Sequence, residues 1–219
     1  MMKQVMKSLV VVGAMLVAGS AAANIDEVKP SIGVDFLQAY MKGQNSVTVS
    51  GRTVNVSDLV AKSYPGATVY LGAKFMENLG AEVGYDLSSN KKRTTTVGTT
   101  SFSARVKRTG WHLDLVGFLP MNDCSNLFAS LGAGWVKAKM SDVSGTTGAV
   151  VTSITASSKM KTVWRLGVGA NYMLTEMFGV RAKVGFEGTS ALRNNVNNTG
   201  DKKYFKDSTT VAVGAFAQF

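Results

Sequence analysis

The chain has 219 residues, of which 45% are hydrophobic and 17% are charged, and its formal net charge is +10. This length fits one domain, with or without a removable segment. Beyond the N-terminal region no apolar stretch reaches the roughly 20 residues that cross a bilayer as a helix, which excludes a helical membrane protein. An excess of basic residues is compatible with binding to nucleic acid, to acidic polymers or to anionic membrane surfaces, and the positions of the charges in the chain distinguish among these partners.

The N-terminal region has the pattern of a secretory signal peptide, residues 1–23. Lys3 and Lys7 form a charged start, an apolar run follows, and three alanines ending at Ala23 supply a small-residue cleavage site. Cleavage there leaves residues 24–219, which we expect to form one domain, and the loss of two lysines lowers the net charge from +10 to +8. Cys124 is the only cysteine in the sequence, so no intrachain disulfide is expected.

Eight stretches of the remaining chain alternate between apolar residues and small or polar ones, as expected of β-strands with two different faces. Most have the roughly 9 to 11 residues of a tilted membrane strand. In chain order the predicted strands are residues 31–40, 67–75, 79–86, 108–119, 127–136, 162–174, 180–187 and 209–219.

The connections between these strands alternate in length. Three are short and carry turn residues: 76–78, 120–126 and 175–179. Four are long and rich in Ser, Thr, Asn, Gly and Lys: 41–66, 87–107, 137–161 and 188–208. This alternation predicts an all-β fold, an eight-stranded antiparallel up-and-down transmembrane β-barrel with both termini at the short-turn end, because bacterial outer-membrane barrels have short periplasmic turns and longer outer loops.

The two faces of the predicted strands differ in composition. One face carries no charge, and its aromatic residues lie near the strand ends: Phe75, Tyr85, Trp111, Trp135, Trp164, Tyr172, Phe186 and Phe219. Aromatic girdles flank the apolar band of membrane barrels, so we expect this face to meet lipid. The other face holds nearly all the strand glycines, which would make room for long side chains in a narrow lumen.

The glycine-bearing face also carries five acids and four bases. Buried charges are tolerated only when they are paired, so we predict an ionic network across the lumen, formed by Asp35, Lys74, Glu82, Asp86, Asp114, Arg165, Arg181, Lys183 and Glu187. Lys74 with Glu82 and Asp114 with Arg165 are candidate pairs, although the sequence does not fix the pairing. Three aromatic residues of the same face could plug the short-turn end: Phe118, Phe128 and Phe216. A barrel filled in this way is predicted to be closed, not a wide pore.

Several local sequences, together with the signal segment, carry a family resemblance. They are Met-Glu-Asn-Leu-Gly at 76–80, Asp-Leu-Val-Gly-Phe-Leu-Pro at 114–120, Leu-Gly-Ala-Gly-Trp at 131–135 and the terminal Phe219. The chain resembles the OmpA-like and opacity-type outer-membrane barrel family over essentially the whole of residues 24–219. The resemblance implies the outer membrane of a Gram-negative bacterium, extracellular loops, periplasmic termini, and folding by the outer-membrane assembly machinery with Phe219 as the signal. No peptidoglycan-binding domain follows Phe219 as in larger members, so anchoring to the cell wall is not implied.

Enzymes also occur on this architecture. The lipid A deacylase type needs a His, a Ser two residues further on and an acid, whereas His112 is followed by Leu113 and Asp114. We therefore assign His112 to the ionic lumen and predict no enzyme activity, no metal site and no cofactor; a lipid-modifying enzyme is the less favoured reading.

The long connections are strongly basic. Of the 22 Lys and Arg that remain after the two signal-segment lysines are removed, 16 lie in these four connections, opposed by four Asp. We expect them to attract lipopolysaccharide phosphates, and the candidate contacts are Lys91, Lys92, Arg93, Arg105, Lys107, Lys137, Lys139, Lys159, Lys161, Lys202, Lys203 and Lys206. The alternative is a host-cell adhesin or invasin that binds a receptor through the same loops. Nucleic acid is not expected, because the basic clusters lack interleaved aromatic residues for base stacking.

Overall fold

The computed structural model of the protein describes residues 28–43, 46–49, 52–59, 61–89, 91–97, 100–147, 150–157, 160–188, 193–194, 202–203 and 205–219. The predicted signal segment, residues 1–23, lies outside these ranges. No helix in the described part of the chain is long and apolar enough to cross a membrane.

The described residues form mainly β-strands, which in chain order are β1 (Lys29–Gly43), β2 (Ser46–Val49), β3 (Arg52–Asn55), β4 (Ser63–Met76), β5 (Leu79–Ser88), β6 (Lys91–Val97), β7 (Thr100–Asn122), β8 (Ser125–Thr147), β9 (Val150–Ser157), β10 (Lys161–Met173), β11 (Phe178–Gly188), β12 (Arg193–Asn194), β13 (Lys202–Lys203) and β14 (Phe205–Gln218). One short helix, α1 (Val56–Leu59), follows β3. Eight long strands correspond to the eight predicted ones: β1, β4, β5, β7, β8, β10, β11 and β14. The predicted all-β, eight-stranded class is confirmed.

These eight strands close into a barrel. The antiparallel ladder runs β7-β5-β4-β1-β14-β11-β10-β8, and pairing of β7 with β8 completes the ring. The chain's last strand joins its first, with Val34 opposite Ala215, and the Phe219 amide donates to the Pro30 carbonyl at 2.9 Å. Closure leaves no barrel strand with an unpaired edge, which is a requirement for backbone in a hydrocarbon layer.

Three tight turns lie at the same end of the barrel as the closing contact between Phe219 and Pro30. They join β4 to β5, β7 to β8 and β10 to β11. In the second turn the Asn122 side-chain oxygen accepts hydrogen bonds from the amides of Cys124 and Ser125 at 3.0 and 2.7 Å. Such local bonds satisfy backbone donors that the ladder leaves free.

At the other end, strands extend into two connections that the sequence indicated only as long and polar. β7 and β8 each have 23 residues, and β6 and β9 pair with their outer halves. Most of 87–107 and 137–161 is therefore hairpin. The physical reason is that these segments are rich in Thr and Val, which favour strands, and hairpin pairing satisfies their backbone groups.

The in–out pattern of the barrel follows the predicted faces. Val168 and Val213 on the outer face are 61% and 54% exposed, whereas Asp35 and His112 on the inner face are each 1% exposed. An apolar exterior around a charged interior is the inverse of a soluble protein and suits a lipid environment.

Candidate functional site

The lumen is crossed by ion pairs centred on Arg165 of β10. Its Nη1 lies 2.8 Å from Asp86 Oδ2 and 2.6 Å from Glu187 Oε1, and its Nε lies 3.5 Å from Asp114 Oδ1. These carboxylates belong to β5, β11 and β7, so one guanidinium connects strands from several sides of the barrel. Charge-assisted bonds of this kind are the strong class of hydrogen bond.

Two further side chains extend this cluster. Arg108 pairs through Nη2 with the second carboxylate oxygen of Glu187, and His112 Nδ1 lies 3.4 Å from Asp86 Oδ1. The Thr68 hydroxyl donates to Asp86 at 2.7 Å. Only glycine fits at position 84 beside the imidazole, because a Cβ there would lie 2.5 Å from His112 Nε2.

A second cluster is built around Arg181 of β11. Its Nη2 lies 2.7 Å from Asp35 Oδ2 and its Nη1 lies 2.7 Å from Glu82 Oε1, while its guanidinium carbon lies 3.8 Å from the centre of the Tyr70 ring. Arginine suits this place because its planar group can hold two carboxylates and stack on an aromatic face at the same time.

Eight of the nine predicted lumen charges make ion pairs in the structure. Lys183 completes them, with Nζ 3.2 Å from Asp114 Oδ2, and the candidate pair of Asp114 with Arg165 is in contact. The ninth, Lys74, makes no ion pair with any described residue, and the candidate pair of Lys74 with Glu82 is not formed because Glu82 binds Arg181. In the register Lys74 faces Gly80 and Glu82 faces Gly72, so the lysine lies nearer the turn, 5.4 Å from the Phe118 ring centre.

Arg108 is the lumen charge that the sequence pattern left unassigned. It begins the fourth predicted strand and shares the even-numbered, inward parity of His112 and Asp114. In the structure Arg108 is buried, with a relative exposure of 4%. Extending the parity argument to the first residue of that strand would have found it.

Two cavities of the lumen border these clusters. One cavity of about 20 Å³ lies beside the Arg165 cluster, and another of about 50 Å³ lies toward the short-turn end, between Phe118 and Phe216. Phe128 is buried nearby, with its ring centre 6.5 Å from that of Phe118. The aromatic residues expected to plug this end therefore do line it.

A row of basic residues lies on the outer halves of β6, β7 and β8. Lys92 is directly opposite Arg105 in the register, and Lys107 is opposite Lys139, while Lys137 is opposite Thr109. Lys92, Lys107 and Lys137 are exposed. We call Lys92, Arg105, Lys107 and Lys137 the basic ridge.

The basic ridge continues the lipid-facing side of the barrel. Lys137 follows Trp135 by two residues on β8, and Lys107 precedes Trp111 by four on β7, so both lysines are on the same face as these tryptophans. Arg105 shares the parity of Lys107, and Lys92 is on the same face because it is directly opposite Arg105. Trp111 and Trp135 are directly opposite each other. Cationic side chains thus lie just beyond an aromatic belt, which is the pattern of a membrane–water interface.

The other predicted loop contacts lie elsewhere. Lys91 is exposed and its Nζ donates to the Ser63 carbonyl at 3.3 Å, and Arg93 is half-buried on the same side of β6 as Lys91. Lys161 is opposite Val136 in the register. Lys202 and Lys203 form β13, and Lys206 lies within β14, whereas Lys159 lies outside the described residues.

Comparison with known proteins agrees with this architecture. Residues 9–219 match the family model of the outer membrane protein beta-barrel domain. The chain therefore belongs to the outer-membrane β-barrel family, and its location is the outer membrane of Gram-negative bacteria. No curated protein shows a significant sequence match.

Solved structures with the same fold include three small barrels. The outer membrane protein OprG from Pseudomonas aeruginosa has a TM-score of 0.57 at 14% identity, covering 87% of this chain and 95% of OprG. A major outer membrane protein from Thermus thermophilus has a TM-score of 0.57 at 15% identity, covering 88% and 99%. Ail, the attachment invasion locus protein of Yersinia pestis, in complex with the heparin analogue sucrose octasulfate, has a TM-score of 0.52 at 19% identity, covering 88% and 99%. At these identities the likeness establishes the fold alone.

No group of three or more His, Cys, Asp or Glu among the described residues is arranged to hold a metal ion. The described side chains give the barrel a charged interior held together by ion pairs and a basic outer surface.

Proposed function

We propose that this protein is a structural outer-membrane barrel with a closed lumen, and that its basic ridge binds the phosphates of lipopolysaccharide. The observation that carries the proposal is the placement of three exposed lysines, Lys92, Lys107 and Lys137, on the lipid-facing side beyond the tryptophan belt. Basic residues at that level of a barrel are attracted to the anionic surface of a membrane leaflet.

The orientation of the barrel is part of the proposal. The ridge lies at the end with the extended hairpins, and outer-membrane barrels place such hairpins outside and short turns in the periplasm. Both described termini then face the periplasm, and Phe219, which is 63% exposed at the end of the closing strand, would be read by the assembly machinery. The ridge meets the leaflet that carries lipopolysaccharide.

The closed lumen rests on the geometry of the two arginine clusters. Arg165 and Arg181 each hold carboxylates from different strands, and the cavities beside them have volumes of about 20 and 50 Å³. A hydrated ion would need several of these contacts to break at once.

The test replaces Lys92, Lys107 and Lys137 with Gln in the folded barrel and measures lipopolysaccharide binding. Each basic residue near an anionic membrane surface contributes about 1 kcal/mol, so the triple variant should bind roughly 100-fold more weakly. The matched control carries Arg at the same three positions and should bind like the parent. Equal affinity of the Gln variant and the parent would contradict the proposal.

A second candidate function is a host-cell adhesin that uses the same outer surface. It is favoured by the exposed lysines of the ridge and by the structure of Ail with a heparin analogue. By analogy, the receptor of this protein would be a sulfated polysaccharide. The test is adhesion of cells that carry the ridge variant or deletions within 45–57 and 190–199. If all of these fold and adhere like the parent, the adhesin hypothesis is wrong.

We propose no catalytic role. His112 is 1% exposed inside the barrel and faces Asp86, whereas a lipid substrate would lie on the outside. His112→Ala should leave the lipid A pattern of the host cell unchanged, as seen by mass spectrometry. If His112→Ala and deletion of the whole protein both changed the lipid A pattern, the hypothesis of a lipid-modifying enzyme would be supported instead.

A further inference from the structure

The cavity at the short-turn end of the lumen has features that the lipopolysaccharide proposal does not use. Its volume is about 50 Å³, and because a water needs roughly 10–15 Å³ of such space, it has room for about three to five water-sized groups. Its walls include Lys29, Lys74, Glu82 and Asn171, with Phe118 beside them. The site is therefore small, polar and partly capped by an aromatic ring.

Two residues of the cavity wall are cationic. Lys29 and Lys74 are directly opposite each other on β1 and β4, so their Cβ atoms are expected to be about 4.5–5.5 Å apart. Neither makes an ion pair with a described residue, and the Lys74 ammonium lies 5.4 Å from the centre of the Phe118 ring. An anion between the two ammonium groups would turn a repulsive pair into a binding site.

Two other residues of the cavity wall have a buried acceptor atom without a donor. Glu82 is 8% exposed; its Oε1 accepts from Arg181 Nη1 at 2.7 Å, but its Oε2 has no hydrogen-bond partner among the described residues. The same holds for Asn171 Oδ1, whose amide nitrogen donates to Asn126 at 3.0 Å. A buried acceptor left in this state is costly, so a ligand of this cavity should bring a donor as well as negative charge.

We propose that this cavity binds a small oxyanion that carries a proton, with monohydrogen phosphate as its simplest representative. Two of its charged oxygens would accept from Lys29 and Lys74, and its P–OH would donate to Glu82 Oε2. Its five heavy atoms match the space available. Sulfate has the same shape but no O–H group, so one of its oxygens would face the carboxylate oxygen of Glu82 without a hydrogen bond. Sites built around a hydrogen bond reject analogues that lack the donor.

The first experiment titrates inorganic phosphate and, in parallel, sulfate into the folded barrel in lipid nanodiscs without lipopolysaccharide. Isothermal calorimetry at constant ionic strength and mildly alkaline pH, where phosphate is mainly the monohydrogen dianion, gives the affinities. We expect one saturable phosphate site and at least tenfold weaker sulfate binding. Absence of saturable phosphate binding, or equal affinities for the two anions, would overturn the proposal.

Variants then assign the site. Lys74→Gln and Lys29→Gln should each weaken phosphate binding at least tenfold, and Lys29 is exposed, so its replacement should not disturb folding. Glu82→Gln keeps an acceptor for Arg181 and presents an amide in place of the second oxygen, so it should reduce the preference for phosphate over sulfate. Heat-dependent electrophoretic mobility verifies that each variant is folded.

Matched controls separate this site from the basic ridge at the other end. Lys62→Gln removes an exposed lysine at the hairpin end and should leave phosphate binding unchanged, as should the triple Gln variant of the ridge. Loss of phosphate binding in the ridge variant with retention in Lys29→Gln and Lys74→Gln would place the anion on the ridge and overturn this proposal, whatever the outcome for lipopolysaccharide.

Discussion

At the scale of single residues, the lumen depends on a few arginines that each hold more than one carboxylate. Arg165 contacts Asp86, Glu187 and Asp114, and side-chain exposure at this site is 12% or less. Removing one partner of a buried ion pair leaves the other charge buried without compensation. This destabilises the fold much more than replacing the whole pair by apolar residues would.

Arg165→Met should therefore lower the free energy of unfolding by about 3–5 kcal/mol, because it leaves three carboxylates facing one another without their shared cation. Urea titration of the detergent-folded barrel measures this change. Lys107→Met on the exposed ridge is the control and should change it by about 0.5 kcal/mol or less. A loss of similar size in both variants would contradict the assigned network.

The alternation of residues along each strand indicates which charged side chains face the lumen, but not which of them form ion pairs. Asp114 and Arg165 are in contact as expected, whereas Lys74 and Glu82 are not. The difference depends on the stagger between strands and on Arg181 reaching Glu82 from β11, and neither is encoded in local spacing. The opposition of Lys92 and Arg105 likewise depends on the hairpin register.

At the scale of elements, the alternation predicts all eight barrel strands but underestimates the length of those next to the long hairpins. β8 runs to Thr147 although its predicted end is residue 136, because beyond Trp135 the odd-numbered, outward positions change from apolar residues to Lys137, Lys139 and Ser141. Inside the membrane, contact with lipid requires apolar residues at the outward positions. Outside it, hydrogen bonding within a hairpin is sufficient, and strands continue without a hydrophobic signal.

The closing strand β14 offers a direct test of the in–out assignment. Val213 lies opposite Phe36 and Ala182 near mid-strand and is 54% exposed on the outer face. Val213→Arg should cost about 2–4 kcal/mol in a lipid bilayer, because it places a charge near the midplane. Val213→Leu is the control and should unfold like the parent. If the Arg variant were equally stable, the assigned face of β14 would be wrong.

At the scale of the whole molecule, two functions of charge are separated in space. Within the lumen, acids and bases neutralise each other across the barrel, while on the outer hairpins the bases of the ridge are concentrated on one face. The first arrangement stabilises the closed barrel. The second leaves a surface whose charge is complementary to an anionic leaflet.

The proposal that the lumen is closed predicts that the barrel does not conduct ions. The barrel reconstituted in a planar bilayer should give no stepwise current at moderate voltage, because the clusters of Arg165 and Arg181 span the interior. The protein-free bilayer is the baseline. Regular conductance steps from the parent protein would show an open path through the barrel.

The salt dependence of lipopolysaccharide binding tests the central claim most directly. Exposed charge contacts weaken as salt shortens the Debye length from about 30 Å at 0.01 M to about 8 Å at 0.15 M. The affinity of the parent barrel should therefore fall steeply over this range, and the variant with Gln at Lys92, Lys107 and Lys137 should start weak and show a shallower fall. A parent affinity that does not change with salt, or the same salt dependence in the variant, would contradict the claim that the basic ridge binds lipopolysaccharide phosphates.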